Sequence, residues 1–263
     1  MSLAYERLGS GPPLVLLHGV GHRRQAWAPV ADLLAPHREL FLIDLPGHGE
    51  SPPLITNGRP PIPVMLDAVL GLLDELGLER PHWAGNSLGA RLSLDAGVAQ
   101  RAATVTALSP VGFFRGRGDI VYARSIFRVM QAAGRRLQPV AGQLAASPAG
   151  RAVLFSTVVG RPGQLTAEQA AGDLQAFLRA ADALNAVLAG TDNFTGHMPA
   201  GVPVTIGWGA RDRLLPRRQA VLAKTLLPDA RFVLLAGCGH VPMTDDPRLV
   251  ADVLLAGSAR RPK

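Results

Sequence analysis

Three side chains have the types and settings that nucleophilic acyl chemistry needs: Ser87, Asp212 and His240. Ser87 lies in Gly85-Asn86-Ser87-Leu88-Gly89, between two glycines, after an apolar run and before a helix-like stretch. This is the pattern of a nucleophile elbow, a sharp strand-to-helix turn that presents a hydroxyl. A serine hydroxyl is a weak nucleophile at neutral pH, so it needs a base, a group to orient the base, and donors for the developing oxyanion. His240 closes Gly237-Cys238-Gly239-His240. An imidazole titrates near neutrality, so it can take the serine proton and return it to a leaving group. Asp212 closes Gly209-Ala210-Arg211-Asp212 and is the carboxylate best sited to fix the imidazole.

Oxyanion donors have a candidate source in His18-Gly19-Val20-Gly21, directly after an apolar run. The glycines permit a tight turn that aims the Val20 N–H at the point reached by the N–H of Leu88. A helix beginning at Leu88 adds unpaired N–H groups and a positive dipole end there. His18 reads as structural, Asp44 as a turn-stabilising residue ahead of Pro46-Gly47-His48-Gly49, and Cys238 as a packing residue. No His-Glu-x-x-His or paired-cysteine spacing calls for a metal. Gly116-Arg117-Gly118 lacks the third glycine of a dinucleotide loop, and no Gly-Lys-Ser/Thr phosphate loop exists, so no cofactor is expected.

The elements that must hold these residues follow from periodicity. Short apolar runs predict strands at 14–17, 40–44, 82–85, 104–108, 202–207 and 231–235. Helical patterns fall between them at 25–34, 62–76, 88–100, 217–227 and 247–255, the last opened by Thr244-Asp245-Asp246-Pro247. The alternation predicts an α/β fold with a parallel sheet, and it puts Ser87, Asp212 and His240 at the C-terminal edge of that sheet. Between 113 and 199 the strands stop and a helical period takes over. The expected organisation is a core domain of 1–112 and 200–263 with a helical cap, 113–199, inserted over the site. Phe113, Phe114, Tyr122, Phe127 and Phe177 in this insertion are candidates to line an apolar acyl pocket or to form the cap's own core.

Composition limits the function classes. The 263 residues carry a net charge of +7, but the arginines are scattered, with pairs such as Arg23-Arg24 and no basic tract interleaved with aromatics. Nucleic acid is not an expected partner. The single cysteine excludes an internal disulfide, and no signal-like core or membrane-length apolar run is present, so a cytoplasmic location is expected.

Taken together, His18-Gly19, Asp44-Leu45-Pro46-Gly47-His48-Gly49-Glu50-Ser51, Gly85-Asn86-Ser87-Leu88-Gly89, Gly209-Ala210-Arg211-Asp212 and Gly239-His240 resemble, in order, the motifs of the α/β-hydrolase superfamily. The order Ser87, Asp212, His240 is that of its triad. The resemblance implies a mostly parallel eight-stranded sheet flanked by helices, a catalytic Ser87-Asp212-His240 triad, and oxyanion donors at Val20 and Leu88. A serine at the elbow departs from dehalogenases and epoxide hydrolases, which use aspartate. The Gly-Asn-Ser elbow is similar to that of C–C bond hydrolases, but His240-Val241-Pro242-Met243 lacks the tryptophan they carry after the histidine. The expectation is therefore an esterase-like serine hydrolase of a small apolar ester. C–C cleavage, perhydrolysis and non-catalytic ligand binding stand as alternatives.

Overall fold

The computed structural model describes residues 2–259. Seven strands form one sheet in the order β1-β3-β2-β4-β5-β6-β7. They are β1 (Tyr5–Gly9), β2 (Pro13–Leu17), β3 (Glu39–Ile43), β4 (His82–Asn86), β5 (Thr104–Leu108), β6 (Val204–Gly209) and β7 (Arg231–Leu235). All neighbours run parallel except β1, which pairs antiparallel with β3, Tyr5 opposite Ile43 and Gly9 opposite Glu39.

The sheet has seven strands among the described residues, one fewer than the eight expected. A single antiparallel strand, β1, precedes β2 at that edge. β1 is also the strand that periodicity misses, because four of its five residues are exposed and leave no apolar alternation to read. β6 starts two residues later than the predicted run, since Pro203 has no N–H to give a ladder.

Both faces of the sheet are covered over its inner strands, β2 to β6, which is why these are almost wholly buried. Leu14 and Leu16 of β2 pack with Trp27, Val30 and Leu34 of the first helical segment and with Val250 and Leu254 near the C-terminus. Val15 and Leu17, on the opposite face, join Met65, Val69, Leu72 and Leu92. The helices concerned are α1 (Ala28–Leu34), α2 (Pro61–Glu75), α3 (Leu88–Val98) and, after an intervening run, α9 (Arg217–Leu226) and α10 (Pro247–Gly257). The predicted helix at 25–34 is two pieces, a 3-10 turn over Arg24–Trp27 and then α1, because Pro29 is confined to a first helical turn. α10 begins as its sequence suggests: Asp246 caps the Leu249 N–H at 3.0 Å and Pro247 takes the first position.

Between β5 and β6 lie five helices, α4 (Arg117–Leu137), α5 (Ala141–Ala146), α6 (Pro148–Phe155), α7 (Ala167–Arg179) and α8 (Ala181–Gly190), and no strand among the described residues. α7 opens with a reciprocal box in which Thr166 and Gln169 cap one another's backbone N–H. The two stems of this run are fastened together. The Phe194 N–H donates to the Gly112 carbonyl at 2.7 Å, and the Asn193 amide pairs with both backbone groups of Phe114 at 2.9 and 3.0 Å. No helix among the described residues is long and apolar enough to cross a membrane.

Candidate active site

The turn from β4 into α3 holds Ser87 at φ 55°, ψ −111°, a region that L-residues seldom occupy. Such a conformation costs on the order of 1–3 kcal/mol and persists only where the surroundings fix it. Here the Ser87 N–H donates to the Leu108 carbonyl at 2.9 Å, and the Ser87 carbonyl accepts from Arg91 at 3.0 Å and Val111 at 3.3 Å. The two glycines are steric necessities. A Cβ at Gly85 would fall 2.1 Å from the carbonyl carbon of Gly89, and one at Gly89 would fall 2.2 Å from the carbonyl oxygen of Leu17.

That second contact presses the elbow against the end of β2, where the chain turns through Gly19 and Val20. A Cβ added to Gly19 would lie 3.2 Å from the Ser87 Cβ. Leu88 is the first residue of α3, so its N–H has no intrahelical acceptor. Val20, Ser87 and Leu88 border one common cavity.

Two histidines brace the turn that carries Val20. His18 accepts the Leu45 N–H on Nε2 at 3.1 Å, so its Nδ1 carries the proton donated to the Gly19 carbonyl at 2.8 Å. His48 likewise accepts the Gly21 N–H at 3.0 Å and donates from Nδ1 to the Pro46 carbonyl at 3.0 Å. Both rings are thus needed neutral. Burial, reinforced by the neighbouring His48, holds His18 well below the ordinary histidine range. Burial also lowers His48 to about 4, outweighing the Pro46 carbonyl and Asp44. Asp44 is, as expected, a turn residue: it accepts from the Arg24 N–H at 2.6 Å and the Glu50 N–H at 3.0 Å, and its carboxylate pairs with the Arg24 guanidinium.

A pH dependence follows. Below the ordinary histidine value of 6.5 the unfolded chain binds protons that the folded chain refuses, so this contribution is full above pH 6.5 and is lost as pH falls toward about 4. The loss from His48 is on the order of 2 kcal/mol at pH 5. Urea unfolding at pH 7.5 and 5.0 should show it, and His48→Gln, which does not titrate, should lose less between the two pH values.

His240 lies on the loop after β7. Its Nδ1 is 2.8 Å from Oδ2 of Asp212, and both side chains are buried. Asp212 is itself fixed, because its Oδ1 accepts the N–H groups of Leu214 at 2.9 Å and Leu215 at 2.8 Å. With Oδ2 taking the Nδ1 proton, His240 Nε2 is left as the basic nitrogen. It is buried and has no hydrogen-bond partner among the described residues. A cavity of about 220 Å³ is bordered by Ser87, His240, Gly19 and Val20 on one side and by α4, α6 and α7 on the other. The structure therefore brings Ser87, His240, Asp212 and the Val20 turn to one edge of the sheet, without a hydrogen bond from Ser87 to His240. Catalytic hydrogen bonds in unliganded sites are often loose and tighten on binding.

Of the aromatic candidates, Phe127 and Phe177 border this cavity, and Phe114 and Phe127 border the smaller one beside Leu88. Phe113 and Tyr122 line neither. Phe113 is fully buried against Phe194, and Tyr122 is partly exposed with its hydroxyl on the Arg213 carbonyl at 2.6 Å.

Two residues that hold the site together stand in motifs read for other purposes, Asn86 in the elbow and Asp245 at a helix start. Asn86 donates to the His240 carbonyl at 2.8 Å, tying the elbow to the histidine loop. Asp245, 1% exposed, accepts the N–H groups of Gly239 at 2.7 Å, Gly160 at 2.9 Å and Arg161 at 2.6 Å. The same carboxylate thereby fastens the His240 loop and the segment after α6. Cys238 packs fully buried between them, and burial, with Asp245 and Asp246 nearby, pushes its thiol up to about 12. Among the described residues no three His, Cys, Asp or Glu side chains converge as metal ligands would.

The dihydrolipoyllysine-residue acetyltransferase component of the acetoin cleaving system from Pseudomonas putida is 29% identical over 258 residues, 94% of this chain and 63% of that one. The chain thus spans about three fifths of that relative's length. A pimeloyl-[acyl-carrier protein] methyl ester esterase of Xanthomonas campestris is 32% identical over 255 residues, covering 94% of this chain and 95% of the esterase. A thermophilic esterase from Thermogutta terrifontis shares the fold, with a TM-score of 0.73 at 22% identity, across 96% of this chain and 91% of its own. The model of the alpha/beta hydrolase family matches residues 14–253, and the chain belongs to that family.

Proposed function

We propose that this α/β hydrolase is a cofactor-free serine hydrolase that cleaves a carboxylic ester or related acyl compound. The observation that carries the reading is the state of His240: Nδ1 is held by Asp212 at 2.8 Å, Nε2 is buried and unpartnered among the described residues, and His240 and Ser87 border the same cavity. An imidazole so placed is poised to accept a proton, and the elbow serine that borders the same cavity is the candidate to supply one.

In this mechanism the Ser87 Oγ attacks the acyl carbon as its proton passes to His240 Nε2. Negative charge gathers on the former carbonyl oxygen, which the Val20 and Leu88 N–H groups hold. The C–O bond to the leaving group then breaks, and the proton moves from Nε2 to the departing oxygen. Water, deprotonated by His240, attacks the acyl-enzyme and frees the acid and Ser87. Asp212 keeps the imidazole in the required tautomer throughout. The helices at 113–199 act as a cap over the core of 1–112 and 200–263, a role supported by their joined stems and by the α4, α6 and α7 residues that roof the cavity. The esterase relative from Xanthomonas campestris agrees with ester chemistry.

A fluorophosphonate probe tests the reading. Stoichiometric labelling is expected, with the adduct mapped by peptide mass to Ser87. An adduct on another serine, or none, would sink the assignment.

A further inference from the structure

Ser87 stands where two cavities of unequal size meet. The larger, about 220 Å³, is bordered by Ser87, Val20 and His240 and runs under α4, α6 and α7 to Val129 and Val153, which are 67% and 66% exposed. Its far end therefore reaches the surface. The smaller, about 30 Å³, is bordered by Ser87, Val20 and Leu88 and further by Val111, Ile120, Arg124, Phe127, Val187 and Leu188, and none of its lining residues is exposed. His240 borders the first and not the second.

This asymmetry decides which part of an ester goes where, given the serine-hydrolase reading on which the inference rests. A tetrahedral intermediate on Ser87 carries an oxyanion, an acyl substituent and a leaving oxygen. The oxyanion must face Val20 and Leu88. The leaving oxygen must face His240 Nε2, because the bond from carbon to that oxygen breaks only as the oxygen receives the proton taken from Ser87. The alcohol portion is therefore directed into the larger cavity, through whose far end it can depart. The acyl substituent is left with the smaller one. At roughly a seventh of the larger cavity's volume, the smaller one suits a much shorter group.

We propose that the preferred substrates are short-acyl esters of bulky apolar alcohols, with the acyl end seated between Leu88, Ile120 and Leu188 and the alcohol under α4 and α7. Octyl acetate and methyl nonanoate are isomers of equal atom count, so comparing them isolates the orientation from hydrophobicity. The wild-type enzyme should hydrolyse octyl acetate with a kcat/KM at least about tenfold higher, the scale at which a pocket discriminates a few methylenes. Equal rates or the reverse order, with Ser87 still labelled by fluorophosphonate, would overturn the compartment assignment while leaving the serine-hydrolase reading intact. No turnover of either ester and no labelling would overturn both. Leu188→Ala enlarges the smaller cavity and should raise the octyl butyrate to octyl acetate ratio by about tenfold. Phe177→Ala, in the large cavity, should leave that ratio within about twofold. A ratio unmoved by Leu188→Ala, or by Ile120→Ala should the first variant not fold, counts against the proposal.

Discussion

Replacing Asp212 with asparagine should lower kcat about ten-thousandfold while leaving the fold in place. The asparagine keeps a carbonyl oxygen for the Leu214 and Leu215 N–H groups, which Asp212 now accepts at 2.9 and 2.8 Å. Its amide nitrogen then faces His240 Nδ1, where Oδ2 now stands at 2.8 Å. An NH₂ group there donates, so Nδ1 becomes the acceptor and the ring proton moves to Nε2. A protonated Nε2 cannot take the Ser87 proton. Steady-state hydrolysis of an acetate ester measures the effect, and an unchanged thermal midpoint separates it from unfolding. A kcat within tenfold of wild type would mean that Asp212 does not orient the base.

Gly89→Ala should be strongly destabilising, at about 3 kcal/mol or more. The added Cβ would sit 2.2 Å from the Leu17 carbonyl oxygen, 2.5 Å from the Leu17 carbon and 2.7 Å from the His18 oxygen. All three are backbone atoms at the end of a central strand, paired on both sides with β3 and β4, so they have no rotamer by which to retreat. Relief requires parting α3 from β2, which would also draw the Val20 turn away from Ser87. Denaturant unfolding should report a large fall in the midpoint, together with loss of activity in whatever folded protein remains. By contrast, alanine at Gly71 in α2 meets nothing within 4 Å and should be tolerated. Near-equal midpoints for the two variants would show that the elbow is not so tightly seated.

The contrast between what the sequence disclosed and what it hid has a physical basis. Ser87, Asp212 and His240 each follow an apolar run ended by glycine, and a buried parallel strand writes that run plainly because both its faces need apolar side chains. The strand at 104–108 was legible to the residue for the same reason, and the edge strand at 231–235, with Arg231 and Leu234 exposed, by its apolar run alone. β1 was not, because an exposed edge strand needs no apolar face. Phe113 was a pocket candidate by its type and its place in the insertion, but only the fold shows that it turns inward onto Phe194. Asp245 looked like part of a helix start, whereas its partners at Gly160 and Arg161 are more than eighty positions away in sequence. Contacts between a side chain and distant backbone N–H groups leave no periodicity.

Asp245 also has a mechanical meaning. Since its one carboxylate grips both the loop before His240 and the segment after α6, neither segment can shift without straining its bonds to the other's anchor. A substitution at Asp245 therefore acts on two walls of the large cavity at once, the His240 side and the side formed by Val158 and Val159 after α6.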